Sequence, residues 1–213
     1  MPLQKIVRLT ETRALGIWDI TESLSALEQQ LDIKMEDNSH LPLTHEKKRA
    51  EWFSTRIMAR EMMGYMGWSY HGIFKDQFGK PHFKHTSVQV SVTHSFPFVS
   101  VLIDKTKPVG IDMEYPNVKL LKIARRFLSE DELTFIDPND TKMLAIAWGA
   151  KEALYKLHGR RKLSFREQLL LDPYTAENNE GQFSGKIIDE NIENYDLKYK
   201  IFEKNDYILV FTT

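Results

Sequence analysis

The chain has 213 residues, with 29 lysines and arginines against 30 aspartates and glutamates, a net charge of −1. That balance excludes general polyanion binding by bulk charge, so affinity for phosphate must come from local clustering. There is no cysteine, which excludes disulfides and thiolate-held zinc or iron–sulfur sites. No apolar run approaches the roughly 18 residues of a membrane span. Residues 1–7 lack the long apolar core of a signal peptide. The expectation is a cytoplasmic protein without a membrane or nucleic-acid partner, long enough for one large domain or two smaller ones.

Residues 5–9 and 14–20 read as strands. Thr21 is placed to cap a helix carrying Leu24, Leu27 and Leu31. A second helix is expected over 44–63, ending at Gly64 and Gly67. Its apolar side includes Phe53, Ile57 and Met58, and Arg49, Arg56 and Arg60 fall on one stripe, which read alone is a solvated charged face. The run Asp76-Gln77-Phe78-Gly79-Lys80-Pro81 signals a turn between short extended pieces. Residues 87–93 alternate with Val88, Val90 and Val92 inward, and a loop His94-Ser95-Phe96-Pro97 leads to a strand at 98–104. The succession of short strands, continuing past Pro108, suggests an antiparallel sheet.

Helices follow at 118–127 and after Ser129, where Ser129 and Glu132 make a capping-box pattern. A long helix starts near Asn139, and strands return at 183–188, 197–202 and 207–212, the last two joined by a turn at Lys204-Asn205-Asp206. His82 and His85 read as surface residues, since no third ligand is near them in sequence. The two halves share a coarse order of elements, a weak sign of internal duplication.

Two segments carry the chemistry. In Val109-Gly110-Ile111-Asp112-Met113-Glu114 the apolar residues alternate with the rest, so Asp112 and Glu114 project from one face of a strand. In the long helix, Met143, Ala147, Ala150, Leu154 and Leu157 form a core stripe, with Glu152 and Lys156 one turn apart on the other side. That side also carries Ala145, Trp148 and Tyr155, so it is too apolar for an open solvent face. Three carboxylates and an ammonium that can converge suggest a divalent cation opposite a phosphate, since Mg²⁺ takes oxygen ligands and leaves positions for substrate. The plain alternative is an exposed ion pair on the helix, worth about 0.3–0.5 kcal/mol.

In order along the chain, the basic helix at 49–60, Phe78-Gly79-Lys80-Pro81, Val92-Thr93-His94-Ser95, the Asp112/Glu114 strand, Phe127-Leu128-Ser129 and the segment from Trp148 to Lys156 resemble the 4′-phosphopantetheinyl transferases. The likeness is to their larger, surfactin-synthetase-activating type. It implies an α+β fold of two similar α/β subdomains related by a pseudo-twofold axis, here 1–105 and 106–213, with coenzyme A bound between them. It implies a holo-[acyl-carrier-protein] synthase type activity: the phosphopantetheine of coenzyme A passes to a serine of an apo acyl, peptidyl or aryl carrier protein, releasing 3′,5′-ADP. Such carriers serve fatty-acid, polyketide or nonribosomal-peptide synthesis.

Carried over residue by residue, Asp112, Glu114 and Glu152 would hold Mg²⁺, or Mn²⁺ in its place. Glu152 and Lys156 would be catalytic, the one as base or metal ligand, the other as stabiliser of the leaving group. Arg49, Arg56, Lys80, His94, Ser95 and Lys156 would contact coenzyme A. The chain is expected to act as a monomer. It departs from the family pattern after Lys156, where Leu157-His158-Gly159-Arg160-Arg161-Lys162-Leu163-Ser164 replaces a glycine-rich continuation, and at Val92-Thr93 before the histidine. A Mg²⁺-dependent nuclease or phosphodiesterase is the competing enzyme class, though its glutamate and lysine commonly stand two apart on a strand. A non-catalytic coenzyme A- or carrier-binding module would tolerate a broken acidic trio, which is intact here.

Overall fold

A computed structural model describes residues 4–37, 41, 44–160, 162–176, 178–202 and 206–213. Arg161 of the basic loop, and Lys204 and Asn205 of the C-terminal turn, lie outside the described residues. The chain divides into two compact units, Met1–Pro108 and Val109–Thr213.

In the first unit, strands β1 (Gln4–Arg8), β2 (Arg13–Asp19), β5 (Gln89–Ser95) and β6 (Phe98–Asp104) form an antiparallel sheet in the order β1-β2-β6-β5. A separate hairpin pairs β3 (Ile73–Lys75) with β4 (Pro81–Phe83). Between them Gly79 takes φ +89°, and the Asp76 carboxylate accepts from the amides of Phe78 and Lys80. Helix α1 (Leu24–Gln30) is capped by Ser23, whose hydroxyl accepts from Ala26 N at 3.3 Å, rather than by Thr21. Helix α2 (Glu46–Tyr65) runs past Gly64 and stops before Gly67. It packs over β2, where a Cβ on Gly16 would meet the Met62 sulfur at 2.5 Å. The central strands β2 and β6 are buried almost throughout.

His94 and Ser95 belong to β5 rather than to a loop. The register holds through Ser95 opposite Phe98, leaving Phe96 and Pro97 alone to make the turn. Of the arginine stripe of α2, Arg56 is not solvated, because residues 50–59 are buried all round the helix, whereas Arg49 and Arg60 on either side of that span are half-buried. A helical wheel shows where Arg56 points, but not what closes over it.

The second unit has a five-stranded antiparallel sheet ordered β7-β11-β10-β9-β8, from β7 (Ile111–Glu114), β8 (Leu169–Leu171), β9 (Glu180–Ile188), β10 (Ile192–Phe202) and β11 (Tyr207–Thr212). The Asp112/Glu114 strand therefore belongs to this sheet and not to that of the preceding strands. The strand β8 is three residues long, too short for its alternation to be read. Helix α3 (Val118–Phe127) packs against α4 (Thr141–His158), which lies on the sheet. The Asp140 carboxylate caps α4 through Lys142 N at 2.8 Å and Met143 N at 3.2 Å, and Gly159 at φ +75° ends it. Met143, at the edge of the expected core stripe, is only half-buried.

The Ser129–Glu132 capping box is present, with Ser129 N donating to Glu132 Oε2 at 2.8 Å and Glu132 N to Ser129 Oγ at 3.2 Å. It opens a 3-10 turn (Glu132–Thr134) instead of an α-helix. The Glu132 carboxylate has further partners. It accepts from Lys151 Nζ at 2.7 Å and from Leu171 N at 2.8 Å, linking the turn to α4 and β8. The three donors of the fully buried Lys151 ammonium go to Glu132, Phe127 O at 2.8 Å and Phe165 O at 2.7 Å. Burial pushes the Lys151 ammonium down to about 8, against the opposing pull of Glu132.

Lys151→Met should strand the Glu132 carboxylate without a counter-charge and cost about 3–5 kcal/mol in urea unfolding. Adding Glu132→Gln should recover a large part of that loss. If Lys151→Met alone cost no more than a surface substitution, the pair would not be structural.

Candidate active site

The strand β7 carries its two carboxylates against α4, and glycines set how closely the two elements approach. A Cβ on Gly110 would stand 1.9 Å from Ala153 O, so only glycine lets the start of β7 touch the helix backbone. One turn earlier on α4, a Cβ on Gly149 would meet Val210 Cγ2 at 3.0 Å and Asp112 Oδ2 at 3.8 Å. This spacing brings Lys156 within reach of β7. Its ammonium donates to Asp112 Oδ1 at 2.6 Å and to Ile111 O at 3.2 Å. Asp112 is buried, and a buried carboxylate needs such a partner.

Glu114 and Glu152 share the same field. Burial raises Glu152 to about 7, with the charges of Asp112 and Glu114 adding to the rise and Lys156 opposing it. Burial also raises Glu114, against a bond from Tyr115 N at 3.0 Å, while Asp112 pushes it further up. Asp112, Glu114, Glu152 and Lys156 are thus brought into one electrostatic cluster holding more negative than positive charge.

Among the described residues no three histidine, aspartate or glutamate groups are gathered as a ready-made metal cluster. The donor chemistry nevertheless fits a hard divalent cation, being carboxylate oxygen throughout. Burial first, and the neighbouring carboxylates after it, raise Glu114 and Glu152, and a cation would offset that charge.

Apart from Lys156, the residues expected to meet coenzyme A lie in the first unit, and their surroundings differ. Arg56 is enclosed. Its guanidinium lies 3.5 Å from the Trp52 ring centroid and its Nε stands 3.3 Å from Glu36 Oε2, while burial holds its pKa below the usual range. Arg49 pairs with Glu28. His94 stays exposed, with Nε2 3.1 Å from Thr55 Oγ1. Because the Thr55 hydroxyl donates to Glu51 O at 2.7 Å, it must accept from His94 Nε2–H, which fixes the tautomer. Ser95 is half-buried at the end of β5. Lys80, at the β3–β4 turn, is lowered by burial against the pull of Asp76.

Two contributors escaped the reading of the sequence. Thr55 orients His94 across 39 residues, a pairing that no local pattern marks. Lys75 stands opposite Pro81, beside Lys80, and is lowered by burial and then by the charge of Arg56. The period of two in β3 was the one available signal for it, over only three residues.

Residues 108–212, which contain the acidic cluster and Lys156, match the family model described as the 4′-phosphopantetheinyl transferase superfamily. No curated protein matches the chain.

In chelator-treated protein, the raised Glu152 predicts a definite pH trend. Its stabilising contribution is fully present below the usual carboxylate value of 4.5 and is lost as pH rises through about 7. Glu152→Gln removes this loss, so the melting temperature of the variant should increasingly exceed that of the parent between about pH 5 and pH 8. Parallel melting curves across that range would mean that Glu152 carries no raised pKa.

Proposed function

We propose, from a 4′-phosphopantetheinyl transferase superfamily domain over residues 108–212, that this chain is a transferase moving phosphopantetheine from coenzyme A to a carrier protein. The observation that carries the reading is the convergence of Asp112, Glu114, Glu152 and Lys156 inside the matched segment. The larger, surfactin-synthetase-activating type is supported by the first unit, which adds Phe78-Gly79-Lys80-Pro81 and Val92-Thr93-His94-Ser95.

In the reaction, a carrier serine oxygen bonds to the phosphorus that bears the pantetheine arm. The pyrophosphate P–O bond to the nucleotide breaks, and 3′,5′-ADP leaves with the electron pair. Glu152, raised to about 7, accepts the serine proton near neutral pH. The Lys156 ammonium, 2.6 Å from Asp112, offsets negative charge developing on the leaving oxygen. Asp112, Glu114 and Glu152 are the residues that would hold Mg²⁺, or Mn²⁺. When bound, such an ion supplies Lewis-acid neutralisation of the phosphate oxygens.

Lys75, Lys80 and His94 are the candidate phosphate contacts of the first unit. Arg56 and Arg49 are held by Glu36 and Glu28, so a role for them at phosphate requires exchange of those partners. The exposed side of α3 favours an acidic carrier protein, because Val118 and Leu121 stand among Lys119, Lys122, Arg125 and Arg126. Arg160 and Lys162 are also exposed. No helix among the described residues is long and apolar enough to cross a membrane, and the proposed setting is the cytoplasm, with the chain acting as a monomer.

The test is mass spectrometry of apo acyl, peptidyl and aryl carrier proteins incubated with the chain, coenzyme A and Mg²⁺. The expected result is a gain of the phosphopantetheine mass on the carrier serine. Lys156→Met should lower the single-turnover rate about 10²–10³-fold, the usual cost of losing one transition-state donor. Carriers left unmodified throughout the panel, or normal transfer by the variant, would overturn the reading.

A further inference from the structure

The first unit contains a cavity of about 350 Å³ apart from the residues assigned above. Three chain segments build it: the stretch after α2, the turn between β4 and β5, and the residue after β6. Trp68 and Val88 supply its apolar wall. His71, His85 and Lys105 supply nitrogen groups, and Ser69 and Thr86 supply hydroxyls. Among the described residues no carboxylate lines it.

The walls are held by backbone bonds. Trp68 N donates to Met63 O at 2.8 Å, Lys84 N to Gly72 O at 3.0 Å, and Lys105 N to Thr12 O at 3.0 Å. Gly72, at φ +97°, lets its segment press against Met35, where a Cβ would stand 2.2 Å from the carbonyl oxygen. His85 takes a left-handed conformation at φ +58°. Such a backbone is uncommon for a residue other than glycine and persists where its surroundings enforce it. Its ring meets that of His71 edge to face, with centroids 5.8 Å apart. The Lys105 ammonium stands 5.8 Å from the Trp68 ring centroid, so a cation and a flat aromatic surface are presented together.

We propose that this cavity binds a small organic anion, one carboxylate or phosphate group carried on a flat apolar body. The volume falls in the range of small-molecule sites. Donors without an opposing carboxylate select negative charge, and Trp68 offers a surface for stacking. This inference is independent of the transfer reaction, since none of the lining residues has a part in it.

The probes are phenyl phosphate and benzoate, with benzyl alcohol as the neutral control and Zn²⁺ as the test of a histidine metal site. Binding is read from tryptophan fluorescence and from the histidine ring signals in NMR. One or both anions should saturate and shift the His71 and His85 rings, and the better one identifies the charged group. Benzyl alcohol should bind at least about tenfold more weakly, as should the anion to Lys105→Met, in keeping with loss of one charge-assisted bond. Lys105 is exposed, so its replacement should leave the fold intact by circular dichroism. Trp68→Phe should abolish the fluorescence response while the NMR shifts persist. Equal binding of benzyl alcohol, equal affinity in Lys105→Met, no saturation by either anion, or tight Zn²⁺ binding that excludes both anions would each overturn the proposal.

Discussion

The second unit depends on a contact without side chains, the approach of Gly110 to the backbone of α4 at Ala153. Any other residue at position 110 would place a carbon 1.9 Å from the Ala153 carbonyl oxygen, well inside van der Waals contact. Strand β7 is the edge of its sheet, so this contact, together with pairing to β11, fixes where its side chains stand. The result is a buried Asp112 with Lys156 2.6 Å away. A strand farther from the helix would leave a buried carboxylate unpaired, which costs several kcal/mol.

A second constraint sets the rotation of α4 about its axis. Lys151 turns into the core toward Glu132, so the next residue, Glu152, turns toward β7. The buried ion pair thus does more than tie a turn and a short strand to the helix. It also holds the Glu152 side of α4 in phase with Asp112. Burial, with the neighbouring carboxylates adding to it, raises Glu114 and Glu152, and such strain against stability is common where a site is shaped for a ligand or a transition state. On the proposed reading, that ligand is a divalent cation with a pyrophosphate.

The strand at Asp112 and the helix at Glu152 were legible because each keeps one period over a full element. The capping box at Ser129 and the hairpin turn at Gly79 were legible for a related reason, since their chemistry is local. What escaped was non-local. Arg56 reads as a surface cation until Glu36 and Trp52 close on it. Lys151 reads as one charge among many until Glu132 is found 19 residues away in sequence. Ser95 reads as loop because only its pairing with Phe98 extends β5 that far. At three residues, β8 was below the length at which alternation means anything.

The most direct measurement is a Mn²⁺ titration by electron paramagnetic resonance on the chain saturated with coenzyme A, comparing the parent with Asp112→Asn. The proposed reaction centre predicts one saturable ion in the parent and a large loss of affinity in the variant, with the fold unchanged. Equal stoichiometry and affinity in the two proteins would place the ion, and the chemistry built on it, away from the contact of β7 with α4.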